Sequence, residues 1–241
     1  HIMHFQERTH KTFRLTQINA DLNNDLRIIV YFHSSIEIKT IKMMRKLCFA
    51  MLLVFGVLHW GQAQEAKLKK AFNGKNFKGW VEPENNVWWT IDDGVLHAKS
   101  DPEKTGSILW TDKDYNDFVV QADFLYGEGT VDTGIFLREE AQQIQMGISG
   151  SLKRDMTGSP YIVGKGYPVE AEGVADILKP NEWNTIKIKA VDNIYTVWLN
   201  GQQVITYEAS DVPEEGPIGL QLHPNRDMTT SFKNIKIAEL R

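Results

Sequence analysis

Downstream of residue 80, apolar and polar side chains alternate in short runs, the period of two that marks strands with one buried and one open face. In Phe118 to Leu125, Phe118, Val120, Ala122 and Phe124 share one face, and Val119, Gln121 and Asp123 share the other. Two neighbouring runs place polar groups opposite the core. Thr133 to Arg138 sets Ile135 and Leu137 on one side, with Gly134, Phe136 and Arg138 on the other. Gln142 to Ile148 sets Ile144, Met146 and Ile148 against Gln143, Gln145 and Gly147. The pattern therefore predicts an arginine beside two amides on adjacent strands. Ser149 to Pro160 follows, polar and glycine-punctuated, carrying Lys153, Arg154 and Asp155, and is expected to form a loop over the sheet.

Elsewhere the same period predicts the remaining elements. VWWTI and VLHA flank Asp92-Asp93-Gly94, whose Asp-Gly step supplies the positive φ of a tight hairpin turn; alternation puts Trp88 and Trp89 on opposite faces. Ser107 to Trp110 reads as a strand, Gly127-Glu128-Gly129 as a turn, and Tyr161 to Val174 as loop. Glu182 to Tyr207 predicts a three-stranded antiparallel meander turning at Asp192-Asn193 and Asn200-Gly201, and Ile218 to Leu222 and Ser231 to Leu240 supply two closing strands. Lys67 to Trp80 reads as an irregular lead-in. With no long helical period, the expectation is an all-β, two-sheet sandwich.

The first 63 residues change that picture. Arg45 and Lys46, an apolar run from Leu47 to Leu58, and Gly61-Gln62-Ala63 form the three parts of a secretory signal peptide over residues 43–63. Twelve apolar residues are fewer than the roughly 20 that a permanent membrane span needs. Cleavage is expected after Ala63, leaving Gln64 to Arg241 as a single domain, while residues 1–42 precede the expected natural start and are predicted to lie outside the fold. The expected location is periplasmic or secreted, with membrane contact only during export. Of 27 basic and 31 acidic side chains, 8 and 4 fall in the first 63 residues, so 19 and 27 remain, a net charge near −8. That balance argues against a nucleic-acid partner. The only cysteine, Cys48, leaves with the signal peptide, which excludes disulfide and thiolate chemistry from the domain. No HExxH, CxxC or close histidine cluster points to zinc; a divalent cation held by scattered carboxylates stays open, and no other cofactor is implied.

Eight blocks together carry a resemblance: FNGKNFKGW, DFVVQADF, DTGIFLR, QIQMGISGSLKRDMTGSPY, EWNTIKIKA, YTVWLNGQQV, GPIGLQLH and FKNIKIAEL. In that order they resemble the 3-keto-disaccharide hydrolase family from Leu68 to Leu240. The resemblance implies a concanavalin A-like jelly roll of two curved antiparallel sheets with the cleft on the concave one. It also implies an exported enzyme that cleaves glycosides oxidised to a ketone at C3. Such a ketone acidifies the C2 hydrogen, so a base can form an enolate and the C1 substituent leaves by β-elimination before water adds back. Many members carry a glutamate before the amide of the second central strand and an asparagine at the start of the first. Here those positions are Gln143 and Asp132. Glutamine cannot act as a general base, so the base is expected to be Asp155 or His223.

The candidate catalytic set is thus Asp155, His223 and Arg138, the last to bind sugar hydroxyls or stabilise the enolate. Candidate substrate contacts are Gln143, Gln145, Asp132, Lys153, Tyr161, Trp89, Asn225 and Arg226, with Trp88 the alternative aromatic platform. The expected partner is a carbohydrate or glycoside. Two rival readings share the fold: a non-catalytic, lectin-like carbohydrate-binding module, and an ordinary glycosidase, which needs two carboxylates flanking the scissile bond.

Overall fold

The computed structural model describes residues 67–240, so the expected signal peptide and upstream segment lie outside the described residues. The strands are β1 (Lys69–Lys70), β2 (Trp80–Val81), β3 (Trp89–Asp92), β4 (Val95–Lys99), β5 (Ser107–Thr111), β6 (Phe118–Gly129), β7 (Asp132–Leu137), β8 (Gln142–Gly147) and β9 (Pro160–Ile162). A one-turn helix, α1 (Val174–Ile177), precedes β10 (Asn184–Val191), β11 (Ile194–Leu199), β12 (Gln202–Glu208), β13 (Ile218–Leu222) and β14 (Met228–Glu239). They form two antiparallel sheets. One runs β12-β11-β10-β6-β14-β4-β3, with β1 also pairing β14; the other runs β2-β5-β13-β7-β8-β9.

The core lies between the sheets, where the alternation predicts it. Phe118, Val120, Ala122 and Phe124 of β6 and Ile186, Ile188 and Ala190 of β10 are fully buried, as are Ile135 and Leu137 of β7, Ile144 and Met146 of β8, and Leu220 and Leu222 of β13. The tight turns use left-handed backbone: Asp93 and Gly94 have φ of 42° and 78°, and Asn200 and Gly201 have 49° and 84°. The architecture is the predicted jelly-roll sandwich.

Two local expectations are corrected. Gly127-Glu128-Gly129 is the end of β6, not a turn. These glycines answer to close packing: a Cβ on Gly127 would lie 2.0 Å from Thr229 Oγ1, and one on Gly129 would lie 1.9 Å from the Asp227 carbonyl. The segment after Pro160 is not wholly loop, because β9 pairs with β8 through Gln142–Ile162 and Gln143–Tyr161.

Candidate active-site cleft

The outer face of the second sheet is assembled row by row. Between β7 and β8, Asp132 stands opposite Gly147, Gly134 opposite Gln145, and Phe136 opposite Gln143. Gln143 is opposite Tyr161 on β9, and on the other side Phe136 is opposite Gly219 of β13. Because alternate residues of β7, β8 and β13 fill the core, Asp132, Phe136, Gln143, Gln145 and Gln221 turn outward together. They floor a cavity of about 480 Å³. Its walls come from Ser149 to Ser151, from Tyr161, Val163 and Tyr167, from Glu140 in the β7–β8 turn, and from His223 and Arg226 between β13 and β14. Gln143 Nε2 donates to Gln221 Oε1 at 2.7 Å. A Cβ at Gly134 would sit 2.0 Å from that Nε2, so the missing side chain is what lets the amide lie across the floor.

One end of the floor is a charged corner. Asp132 is only 2% exposed, and a buried carboxylate requires partners. Its Oδ1 accepts from Gln145 Nε2 at 2.7 Å; its Oδ2 accepts from Arg226 Nε and Nη2 at 3.1 and 3.0 Å. The same Oδ2 lies 3.9 Å from His223 Nε2. His223 Nδ1 is 2.5 Å from the Pro224 carbonyl, which can only accept, so Nδ1 carries the proton. In its neutral form the ring therefore presents the Nε2 lone pair, beside a carboxylate that would stabilise the imidazolium. The His223 side chain is about one-third exposed, enough for a ligand to reach it. Gly150 opens the lane for Arg226, since a Cβ there would be 2.2 Å from its Nη2. Tyr167 packs edge-on against Tyr161 with ring centroids 5.1 Å apart. Burial pushes its phenol up to about 12, outweighing the opposing hydrogen bond with Ser149, so it is a neutral donor at pH 7.

Of the residues expected at the site, the structure brings Asp132, Gln143, Gln145, Tyr161, His223 and Arg226 together and places the others elsewhere. Arg138 is the largest correction. It follows β7 in left-handed backbone, φ 67°, so the alternation that would aim it outward has ended. Its buried guanidinium donates from Nε and Nη2 to the Asn116 carbonyl and from Nη1 to the Asp192 carbonyl, and lies 3.6 Å from Asp117. Asp155 also lies outside the cleft: its Oδ1 caps the Thr157 amide at 2.8 Å, and it borders a separate cavity with Met156 and residues 170–180. Lys153 is exposed on its loop at φ 58°. Trp89 is core, its Nε1 donating to Ser107 Oγ, and Trp88 donates to Asp101. Asn225 is exposed, its amide held by the Lys104 carbonyl.

Glu140, Tyr167 and Gln221 line the cleft without having been singled out. Gln221 carried a signal, since IGLQL sets it opposite Leu220 and Leu222. Tyr167 sits in an aperiodic segment and carried none. Among the described residues no three His, Cys, Asp or Glu side chains converge to hold a metal ion.

The structure thus sets a cleft with amides on its floor and a corner pairing Asp132 with Arg226 and His223 on a jelly roll, and the family to which that jelly roll belongs is a glycoside-related one. The chain belongs to the 3-keto-α-glucoside-1,2-lyase-like domain family, whose model matches residues 67–238. Among solved structures, a presumptive glycosyl hydrolase from Parabacteroides distasonis matches with TM-score 0.57 and 24% identity, covering 72% of this chain and 100% of that one. A second from the same organism gives 0.56 and 20%, over 72% and 94%. A Bacillus licheniformis β-glucanase gives 0.51 and 14%, over 75% and 100%. These likenesses speak for the fold. Comparison with curated proteins gives no match.

Proposed function

We propose that this protein cleaves 3-keto-glycosides by elimination across C1 and C2. The observation that carries the reading is the shared Asp132 Oδ2, bonded to Arg226 and 3.9 Å from His223 Nε2 within the cleft. His223 Nε2 takes the C2 proton, and the electrons move onto the C3 oxygen as an enolate. Asp132 stabilises the imidazolium, and Arg226 offers positive charge to the enolate. Collapse of the enolate restores the ketone, forms the C1–C2 double bond and breaks the C1–O bond. The leaving oxygen takes a proton from the imidazolium. Water then adds across the double bond, its oxygen to C1 and a proton to C2. The family's name, a 1,2-lyase of 3-keto-α-glucosides, supports the same bond changes. Export after removal of residues 43–63 would place this activity outside the cytoplasm, which the N-terminal sequence of the secreted protein tests.

The test is sugar release from a 3-keto-glucoside and from its unoxidised parent, in wild type and His223→Asn. Release from the keto substrate alone, reduced about 10²- to 10⁴-fold in the variant, is expected. Equal cleavage of both substrates, or an unaffected variant, overturns the mechanism. A second reading, a carbohydrate-binding module, is favoured by Gln143, an amide on the floor at the position where the family resemblance implies a carboxylate. It predicts saturable binding with no release from either substrate.

A further inference from the structure

The floor of the cleft changes chemistry along β7. Outward positions recur every second residue, so Asp132 and Phe136 are about 13 Å apart along the strand, farther than one pyranose ring reaches. The Asp132 end is charged. At the other end, Phe136, Gln143 and Tyr161 form one cross-strand row, and Trp110 backs Phe136 with ring centroids 5.6 Å apart. Val163, 59% exposed, joins this end, its amide held by the Ala141 carbonyl beside Glu140. Val163, Phe136 and Tyr161 together give this end of the cleft an apolar surface that a ligand can meet. Polar groups border these apolar surfaces: Gln143 Nε2 is engaged with Gln221 Oε1, the Tyr161 and Tyr167 rings carry phenols, and the Glu140 carboxylate stands exposed at the rim.

Resting on the elimination reading above, we propose that the Phe136 end is a leaving-group subsite selective for uncharged aryl aglycones, with a ring hydroxyl donated to Glu140. The ring lies against Phe136, Tyr161 and Val163, while the keto sugar occupies the Asp132 end. A methyl aglycone would leave Phe136, Tyr161 and Val163 without an apolar partner and forgo the burial that an aryl ring gains there. An anionic aglycone would meet the Glu140 charge. The chemistry agrees: a phenol departs as phenolate when the C1–O bond breaks and needs little help from an acid, then takes its proton from the His223 imidazolium.

The experiment compares kcat/KM for methyl, p-hydroxyphenyl and p-carboxyphenyl 3-keto-glucosides in wild type, Val163→Ser and Glu140→Gln; both sites are exposed, so the variants fold. In Val163→Ser, the p-hydroxyphenyl to methyl ratio is expected to fall about tenfold. In Glu140→Gln, the p-carboxyphenyl to p-hydroxyphenyl ratio is expected to rise about tenfold. Turnover of all three with both ratios unchanged overturns the subsite and leaves the elimination reading standing. No turnover of any of them in wild type overturns the elimination reading and the subsite with it.

Discussion

Replacing Arg138 with leucine separates a structural from a catalytic arginine. Its side chain and that of Asp117 are each 1% exposed, and the guanidinium satisfies the Asn116 and Asp192 carbonyls as well as facing the carboxylate. Asp117 Oδ1 in turn accepts from the Asp192 amide at 2.7 Å. Leucine fills much of the volume but takes the cation away from a buried carboxylate and the side-chain donors away from two carbonyls. Removing one partner of a buried pair costs about 3–5 kcal/mol. At roughly 2–4 °C per kcal/mol for a domain of this size, Tm should drop by about 6–20 °C. Arg138→Lys keeps the charge, loses the planar fork and should fall between leucine and wild type. Thermal and urea unfolding by circular dichroism give the stability, and turnover is measured well below the variant's Tm. A leucine variant within about 2 °C of wild type that has lost turnover would refute this reasoning and return Arg138 to the chemistry.

Gly150→Ala puts the new Cβ against the far end of Arg226, which can move, but Asp132 then loses a partner in a buried setting, so stability should fall by about 1–3 kcal/mol and turnover should drop as Arg226 leaves Asp132; a Tm and activity pair measured together checks this. Gly134→Ala meets Gln143 Nε2 at 2.0 Å and the Ile144 carbonyl at 2.7 Å, so it should lower stability by about 1–3 kcal/mol in urea denaturation. Tyr167 has a folded-state value raised to about 12, above the ordinary value near 10, so its contribution is complete below pH 10 and is lost as pH rises toward 12. Tyr167→Phe should flatten the alkaline decline of stability in that window, followed by urea midpoints at stepped pH. Hydrogen bonding to Arg154 lowers the Glu170 carboxyl, so the stability difference between wild type and Arg154→Met should vanish as pH falls through that lowered value.

Period-two alternation made the sandwich legible, because a strand with one buried face writes its orientation into every second residue. It also placed Gln143 and Gln145 on the open face, and the same rule applied to IGLQL would have found Gln221. The rule fails where the ladder stops. Arg138 lies one residue beyond β7 in left-handed backbone, so counting by twos aimed it at the wrong side of the sheet. Asp155 belongs to a turn whose need for a cap is local, and a carboxylate in a charged loop looks the same whether it binds substrate or its own backbone. Trp89 shows the limit from the other direction. Alternation set it opposite Trp88 without telling which was core, and Trp88, just before β3, is itself half-buried against the core.

His223 and Arg226 lie on the short connection that leaves β13 in one sheet and enters β14 in the other, whereas Asp132 belongs to β7. The charged corner therefore straddles the seam between layers. His223 stays beside Asp132, because β13 and β7 are neighbours in one sheet, but if the layers slide or part, Arg226 nearer β14 is drawn away from that carboxylate before any strand has lost its own ladder. Activity is accordingly a gauge of how the two sheets are mated, and in a denaturant titration it should disappear with the tertiary signal rather than outlast it.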